Sequence, residues 1–302
     1  LIVNDMEDYS RVINNCYLKN SSDVDEGVLS EIFLELQNKI TTMPVVDGFI
    51  KELYAPADDK DINHGERVFY TTRNAAYLDT ARQHIESISP EFRDLFLAPL
   101  LSEASIHANT SGVFKGFYKN RESGVGQFGG NNGDALLRIL GDIELKYPIF
   151  SNYECEVEVC QGDSNKIAPG IPEVDVAYLD PPYNQHPYGS NYFMLNLLVN
   201  YKKPEKISPV SGIPNDWNRS NFNKKREAYN SFQELADKIK AKYLLVSFNS
   251  EGYISLEEMK ELLGGIGKVE VLETRYNAYR GSRNLKAREI HVKEYLYLVE
   301  KR

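Results

Sequence analysis

The sequence predicts an α/β protein whose sheet is mostly parallel and covered on both faces. Apolar runs rich in β-branched and aromatic residues recur at Cys155 to Cys160, Val174 to Leu179, Tyr243 to Phe248, Val269 to Thr274 and Tyr295 to Val299. Helical patterns separate most of them, at Asn191 to Tyr201, Ala228 to Lys240 and Ser255 to Leu263. Strands that alternate with helices pair in parallel, because each crossover helix carries the chain back across a sheet face. The last two runs have no helix between them, which predicts an antiparallel C-terminal hairpin.

Taken in order, Leu1 to Asn4 reads as a short strand, and Met6 to Lys19 as a helix with Val12, Ile13 and Cys16 on one face. A second helix is expected from Val28 to Ile40, stopped by Met43-Pro44. From 43 to 148 the pattern changes to an aromatic-rich stretch, helices near Asn74 to Ile88 and Glu91 to His107, and a glycine-rich loop from Gly112 to Gly133. That loop carries Phe114, Lys115, Phe117, Tyr118, Lys119 and Arg121, and the whole block reads as a mainly helical insertion. The expected division is therefore a catalytic part, 1–42 with 149–302, around an insertion at 43–148.

Composition narrows the classes. With 42% hydrophobic and 26% charged residues the chain is neither disordered nor fibrous. No apolar run approaches the roughly 18 residues of a membrane helix. Three cysteines, Cys16, Cys155 and Cys160, without CxxC spacing, and five histidines predict neither a disulfide framework nor a metal site. A reducing cytoplasm is the expected compartment. Net charge is −9, yet Lys202 to Arg226 holds seven basic residues against Glu205 and Asp216, and Arg275 to Lys293 holds six against Glu289. Local rather than global positive potential is what phosphate contacts need, so the segregation points to a polyanion on an acidic body. Two solvated basic loops would give the same pattern.

The sharpest signal is Asp180-Pro181-Pro182-Tyr183, delivered by the apolar run Val174 to Leu179 to the sheet edge where ligands bind in open α/β folds. Proline lacks an amide hydrogen, fixes φ and pushes the residue before it to an extended conformation. The Asp180 carboxylate and the carbonyl that follows thus stand as two rigid acceptors beside an aromatic face. That arrangement suits the exocyclic amine of a planar base, adenine or cytosine. A plain strand-ending turn uses the same residue types.

This tetrapeptide resembles the catalytic motif of amino-methyltransferases acting on DNA, and its surroundings resemble the adenine-specific D12 group of bacterial type II restriction-modification systems. The resemblance covers nearly the whole chain. It runs through Asn4-Asp5-Met6-Glu7, Gly162-Asp163-Ser164, Tyr188-Gly189-Ser190-Asn191-Tyr192, Ser247-Phe248-Asn249-Ser250-Glu251-Gly252, Tyr279-Arg280 through Arg283, and Glu294-Tyr295-Leu296. It implies a Rossmann-like, S-adenosylmethionine-dependent fold. Asp5, Met6, Asp163, Ser164 and Asp180 are the implied cofactor contacts, although Asp5 and Asp163 equally suit helix N-caps. The family's lysine-bearing N-terminal motif, first strand and glycine-rich cofactor loop do not occur in the sequence. The expectation is that a few tens of residues carrying them are lost or supplied by another chain.

The implied reaction binds the two amine hydrogens to Asp180 and the Pro181 carbonyl, with Pro182 stiffening the turn, and transfers the methyl in line to an adenine flipped from the duplex onto Tyr183. Double-stranded DNA is the implied partner, a separately acting restriction endonuclease the implied companion, and neither metal nor membrane is called for. Asn184, Tyr188, Asn191 and Tyr192 are expected at the DNA, where for the tyrosines core packing is the competing role. Lys115 and Lys119, the 200–227 segment with Arg219, Lys224 and Lys225, and Arg280 with Arg283 are the expected phosphate or base contacts. Methylation of an RNA base or a protein amide, and an inactive DNA-binding remnant, are the alternatives.

Overall fold

The computed structural model describes residues 1–277 and 291–302. In chain order its strands and α-helices are β1 (Ile2–Asp5), α1 (Asp8–Tyr17), α2 (Glu26–Thr42), α3 (Phe49–Tyr54), α4 (Thr72–Glu86), α5 (Pro90–Ile106), α6 (Leu136–Leu140), β2 (Glu158–Gln161), α7 (Ser164–Ile167), β3 (Val174–Leu179), α8 (Tyr188–Asn191), α9 (Phe193–Asn200), α10 (Ala228–Lys238), β4 (Ala241–Asn249), α11 (Leu256–Ile266), β5 (Gly267–Asn277) and β6 (His291–Lys301). The chain divides into two compact units, Leu1–Gln161 with Gly189–Trp217, and Gly162–Tyr188 with Asn218–Arg302. These limits follow packing; the expected division into catalytic part and insertion is one of function.

In the first unit β1 and β2 pair in parallel, with Val3 opposite Val159. The rest is helical. Asp25 caps α2 by accepting from the Val28 amide at 3.0 Å, and the helical spacing of Leu29, Leu36 and Ile40 buries one face. Thr71 caps α4 in the same way, accepting from the Asn74 amide. The core joins these to Phe96 of α5 and Phe193 of α9. Each such side chain contributes roughly 1.5–3 kcal/mol by leaving water. One buried charge locks the helices together. Asp79, fully buried on α4, accepts from the Ile50 and Lys51 amides of α3 at 3.2 and 2.8 Å and from the Tyr201 hydroxyl at 2.7 Å.

The second unit is a four-stranded sheet of order β3-β4-β6-β5. β3 and β4 run parallel, with Val176 opposite Tyr243, whereas β6 is antiparallel to both β4 and β5. The sheet is therefore mixed, which corrects the mostly parallel, Rossmann-like expectation. The physical reason is the hairpin: its second strand takes the inner position beside β4 instead of extending the edge, so one hairpin creates two antiparallel junctions. The α/β class and the C-terminal hairpin agree with the sequence reading. Alternation along β4 and β6 buries Leu244, Val246 and Phe248 with Tyr295, Tyr297 and Val299, in a core shared with Phe232 and Leu235 of α10 and Met259, Leu262 and Leu263 of α11. Ser255 and Glu258 close a reciprocal capping box at the start of α11.

Among the described residues no helix is long and apolar enough to cross a membrane, and no group of three or more His, Cys, Asp or Glu is placed to hold a metal ion. The three cysteines are free, and burial pushes the Cys16 thiol up to about 12.

Candidate active site

The apolar strand β3 ends with Leu179 buried, Asp180 exposed and Pro181 buried. The turn that follows is tied down at several points within the second unit. The Tyr183 carbonyl accepts from the Tyr253 amide at 2.8 Å. The Asn184 carbonyl accepts from Asn223 Nδ2 at 2.7 Å, and the Tyr253 hydroxyl donates to Gln185 at 3.3 Å. The Tyr183 ring meets Phe248 nearly edge-on, centroids 6.0 Å apart at 68°. Beyond β4, a Cβ on Gly252 would overlap the Phe248 ring, so glycine is what permits this approach.

Electrostatics at this turn are unusual. Desolvation holds the Asp180 carboxyl above the ordinary aspartate range although the side chain reaches solvent. Burial raises the Tyr183 hydroxyl, helped by the Glu294 charge and opposed by a hydrogen bond from Asn249. Glu294 is itself raised, first by burial and then by the charge of Asp180. The site thus gathers Asp180 and Tyr183, which the sequence singled out, with Asn249 and Glu294, to which it assigned no role. Both lie in motif segments at the facing ends of β4 and β6, where they are register partners. Only the pairing brings them together.

A cavity of about 520 Å³ in the same unit is lined by Asp163, Asn165, Lys166, Phe222, Ser231 and Glu234. Asp163 caps α7 by accepting from the Asn165 amide at 3.1 Å, so the capping role is real. Asn165 Nδ2 donates to the Ser231 carbonyl and to Glu234, both at 2.9 Å, which leaves its Oδ1 as a buried acceptor without a partner among the described residues. Asn165 was not singled out by sequence, and only the burial of its amide marks it.

The other expected contacts are placed as follows. Asp5, at the end of β1 in the first unit, accepts from the Glu7 amide at 2.9 Å, and Glu7, not Asp5, is the cap of α1; Met6 follows it. Ser164 opens α7, and Tyr188 stands 39% exposed at the start of α8. Asn191 is buried and Tyr192 packs on Tyr9 at 5.7 Å, both within the first unit. The glycine-rich loop folds into a short antiparallel ribbon, with Lys119 opposite Gly126 and the Asn120 amide donating to the Val125 carbonyl at 2.8 Å. Lys115 is exposed, and the Lys119 ammonium lies 4.8 Å over the Phe117 ring. Arg219, Lys224 and Lys225 are exposed in the second unit. Arg280 and Arg283 lie outside the described residues.

Comparison with known proteins agrees with this chemistry. Residues 1–262 match the family described as D12 class N6 adenine-specific DNA methyltransferase. The chain belongs to that family. It is 28% identical to the type II methyltransferase M.NlaIII of Neisseria lactamica over all of this chain and 84% of that protein. It is 30% identical to the type II methyltransferase M.CviAII of Paramecium bursaria Chlorella virus 1, over 99% of this chain and 82% of that protein. A third relative, the type II methyltransferase M.FokI of Planomicrobium okeanokoites, is 27% identical over 78% of this chain and 35% of its own length. No solved structure matches the chain.

Proposed function

We propose that the protein transfers a methyl group from S-adenosylmethionine to the N6 amine of an adenine flipped out of a specific double-stranded DNA sequence, as the cytoplasmic modification enzyme of a restriction-modification system whose endonuclease acts separately. The observation that carries this reading is the rigid Asp180-Pro181-Pro182-Tyr183 turn at the carboxyl end of β3, with the Tyr183 ring fixed against Phe248.

Adenine's amine is a weak nucleophile, its lone pair being delocalised into the ring. Asp180 and the Pro181 carbonyl each accept one amine hydrogen, favour a pyramidal nitrogen and aim its lone pair outward. The Asp180 charge stabilises the positive charge that grows on nitrogen in the transition state. Tyr183 stacks on the base and replaces part of the stacking lost on leaving the duplex. When bound, the sulfonium cofactor supplies an electrophilic methyl group. The cavity beside Asp163 fits its adenine: Phe222 gives an apolar wall, and Asp163 with the orphaned Asn165 Oδ1 gives acceptors for an amino group. Asp5, Met6 and Ser164 are assigned to the cofactor on their motifs alone. Asn184, Tyr188, Asn191, Tyr192, Lys115, Lys119, Arg219, Lys224, Lys225, Arg280 and Arg283 are assigned to DNA, the ribbon around Lys119 having the two-stranded form that a major groove admits.

The test is methyl transfer from labelled S-adenosylmethionine to duplex DNA, with DNA binding measured in parallel. The full-length protein should transfer, and Asp180→Ala should lose transfer while still binding DNA. Binding without transfer by the unaltered protein would leave a DNA-binding remnant; neither activity would overturn the reading.

A further inference from the structure

Glu294 has no part in the reaction just described, yet it stands among the groups that do. In the antiparallel register it faces Asn249 on β4 and Thr274 on β5. Cross-strand partners bring their Cβ atoms to roughly 4.5–5.5 Å, close enough for side chains to bond. Asn249 is only 5% exposed, and its Oδ1 already accepts from the Glu251 amide at 3.0 Å. Its Nδ2 is therefore the donor, and it bonds both the Glu294 carboxylate and the Tyr183 hydroxyl. Asp180 lies within Coulomb reach of Glu294 from the end of β3, and Glu251 within reach of Tyr183 from the loop after β4. The adjacent cation, Lys293, is taken by Glu273 on β5 at 2.8 Å. Glu294 thus faces one anion, one phenol, one amide and one threonine.

We propose that Glu294 is a positioning residue for the methyl transfer: through Asn249 it fixes Tyr183, and as the second carboxylate beside Asp180 it shares the proton that the amine sheds. The inference rests on the roles given above to Asp180 and Tyr183. The N6 lone pair forms the bond to the methyl carbon while the carbon–sulfur bond breaks, its pair remaining on sulfur. One N–H bond then breaks, its pair returns to nitrogen and the proton passes to Asp180. Two carboxylates in contact hold one proton more firmly than either alone, since both cannot ionise freely. The pair keeps the proton until the product leaves and water takes it. Burial and the Asp180 charge both raise Glu294, which makes it the more basic member.

Glu294→Gln separates this role from a structural one, because glutamine keeps an oxygen for Asn249 and removes only the charge. In single-turnover methyl transfer across a pH series, the variant should be slowed by roughly tenfold. The acid limb of its profile should move to lower pH, since Asp180 alone then sets it, and KM for DNA should stay within about twofold. Glu294→Asp should restore the limb to higher pH. A thermal melt of each variant reports whether the fold is kept. An unchanged rate and acid limb in a folded Glu294→Gln protein would overturn the proposal. Absence of transfer by the unaltered protein would instead strike the functional reading, so the two failures are distinct.

Discussion

At the residue scale the account rests on Asp180 and Tyr183. Desolvation raises the Asp180 carboxyl, and the reaction needs it ionised. Activity should therefore fall with acidification at a pH above the ordinary carboxylate range, as a plot of kcat against pH will reveal. Removing the Tyr183 ring by Tyr183→Ala deletes a stacking contact worth about 1–3 kcal/mol for each base, so kcat/KM should drop about 5- to 150-fold. A steady-state assay on a fixed duplex measures that directly. These two residues were legible in the sequence because the tetrapeptide and the apolar strand before it lie together in the chain. Asn249 and Glu294 were not: 45 positions apart, they become neighbours through strand register alone. Asn165 escaped for a related reason, since an asparagine advertises a ligand only when its surroundings leave one of its atoms unpaired.

At the scale of elements, helices were read closely because their apolar spacing and caps are local: α2 starts at its Asp25 cap and buries Leu29, Leu36 and Ile40 as their spacing requires. The sheet was read less well. Strand positions were legible from β-branched and aromatic runs, but the order β3-β4-β6-β5 depends on which strand the final hairpin lays against β4, a choice no local pattern encodes. The ribbon at Lys119 was hidden by its glycines, which mark turns without saying that the segments between them pair. Its proposed contact with phosphates makes a quantitative expectation. Replacing Lys119 and Arg121 together by alanine should weaken DNA binding and lower the slope of log affinity against log salt by about 1 for each lost phosphate contact. Titrations at several salt concentrations supply the slope; an unaltered one would move DNA contact away from the ribbon.

At the scale of the whole molecule, an acidic chain of net charge −9 acts on an acidic polymer, which only the clustering of its basic residues allows. Each compact unit has its own core, and in the first that core depends on one buried carboxylate. Asp79→Ala would leave the Ile50 and Lys51 amides and the Tyr201 hydroxyl without their acceptor. The expected loss is about 2–4 kcal/mol, visible as a lower denaturant midpoint. The central claim, however, is chemical. It is tested most directly by incubating the full-length protein with S-adenosylmethionine and duplex DNA, digesting the DNA to nucleosides and identifying the methylated product by mass. N6-methyladenosine of the deoxy series, absent when Asp180→Ala replaces the unaltered protein, is the predicted result. A methylated cytosine, or equal N6 methylation by the Asp180→Ala protein, would contradict the account.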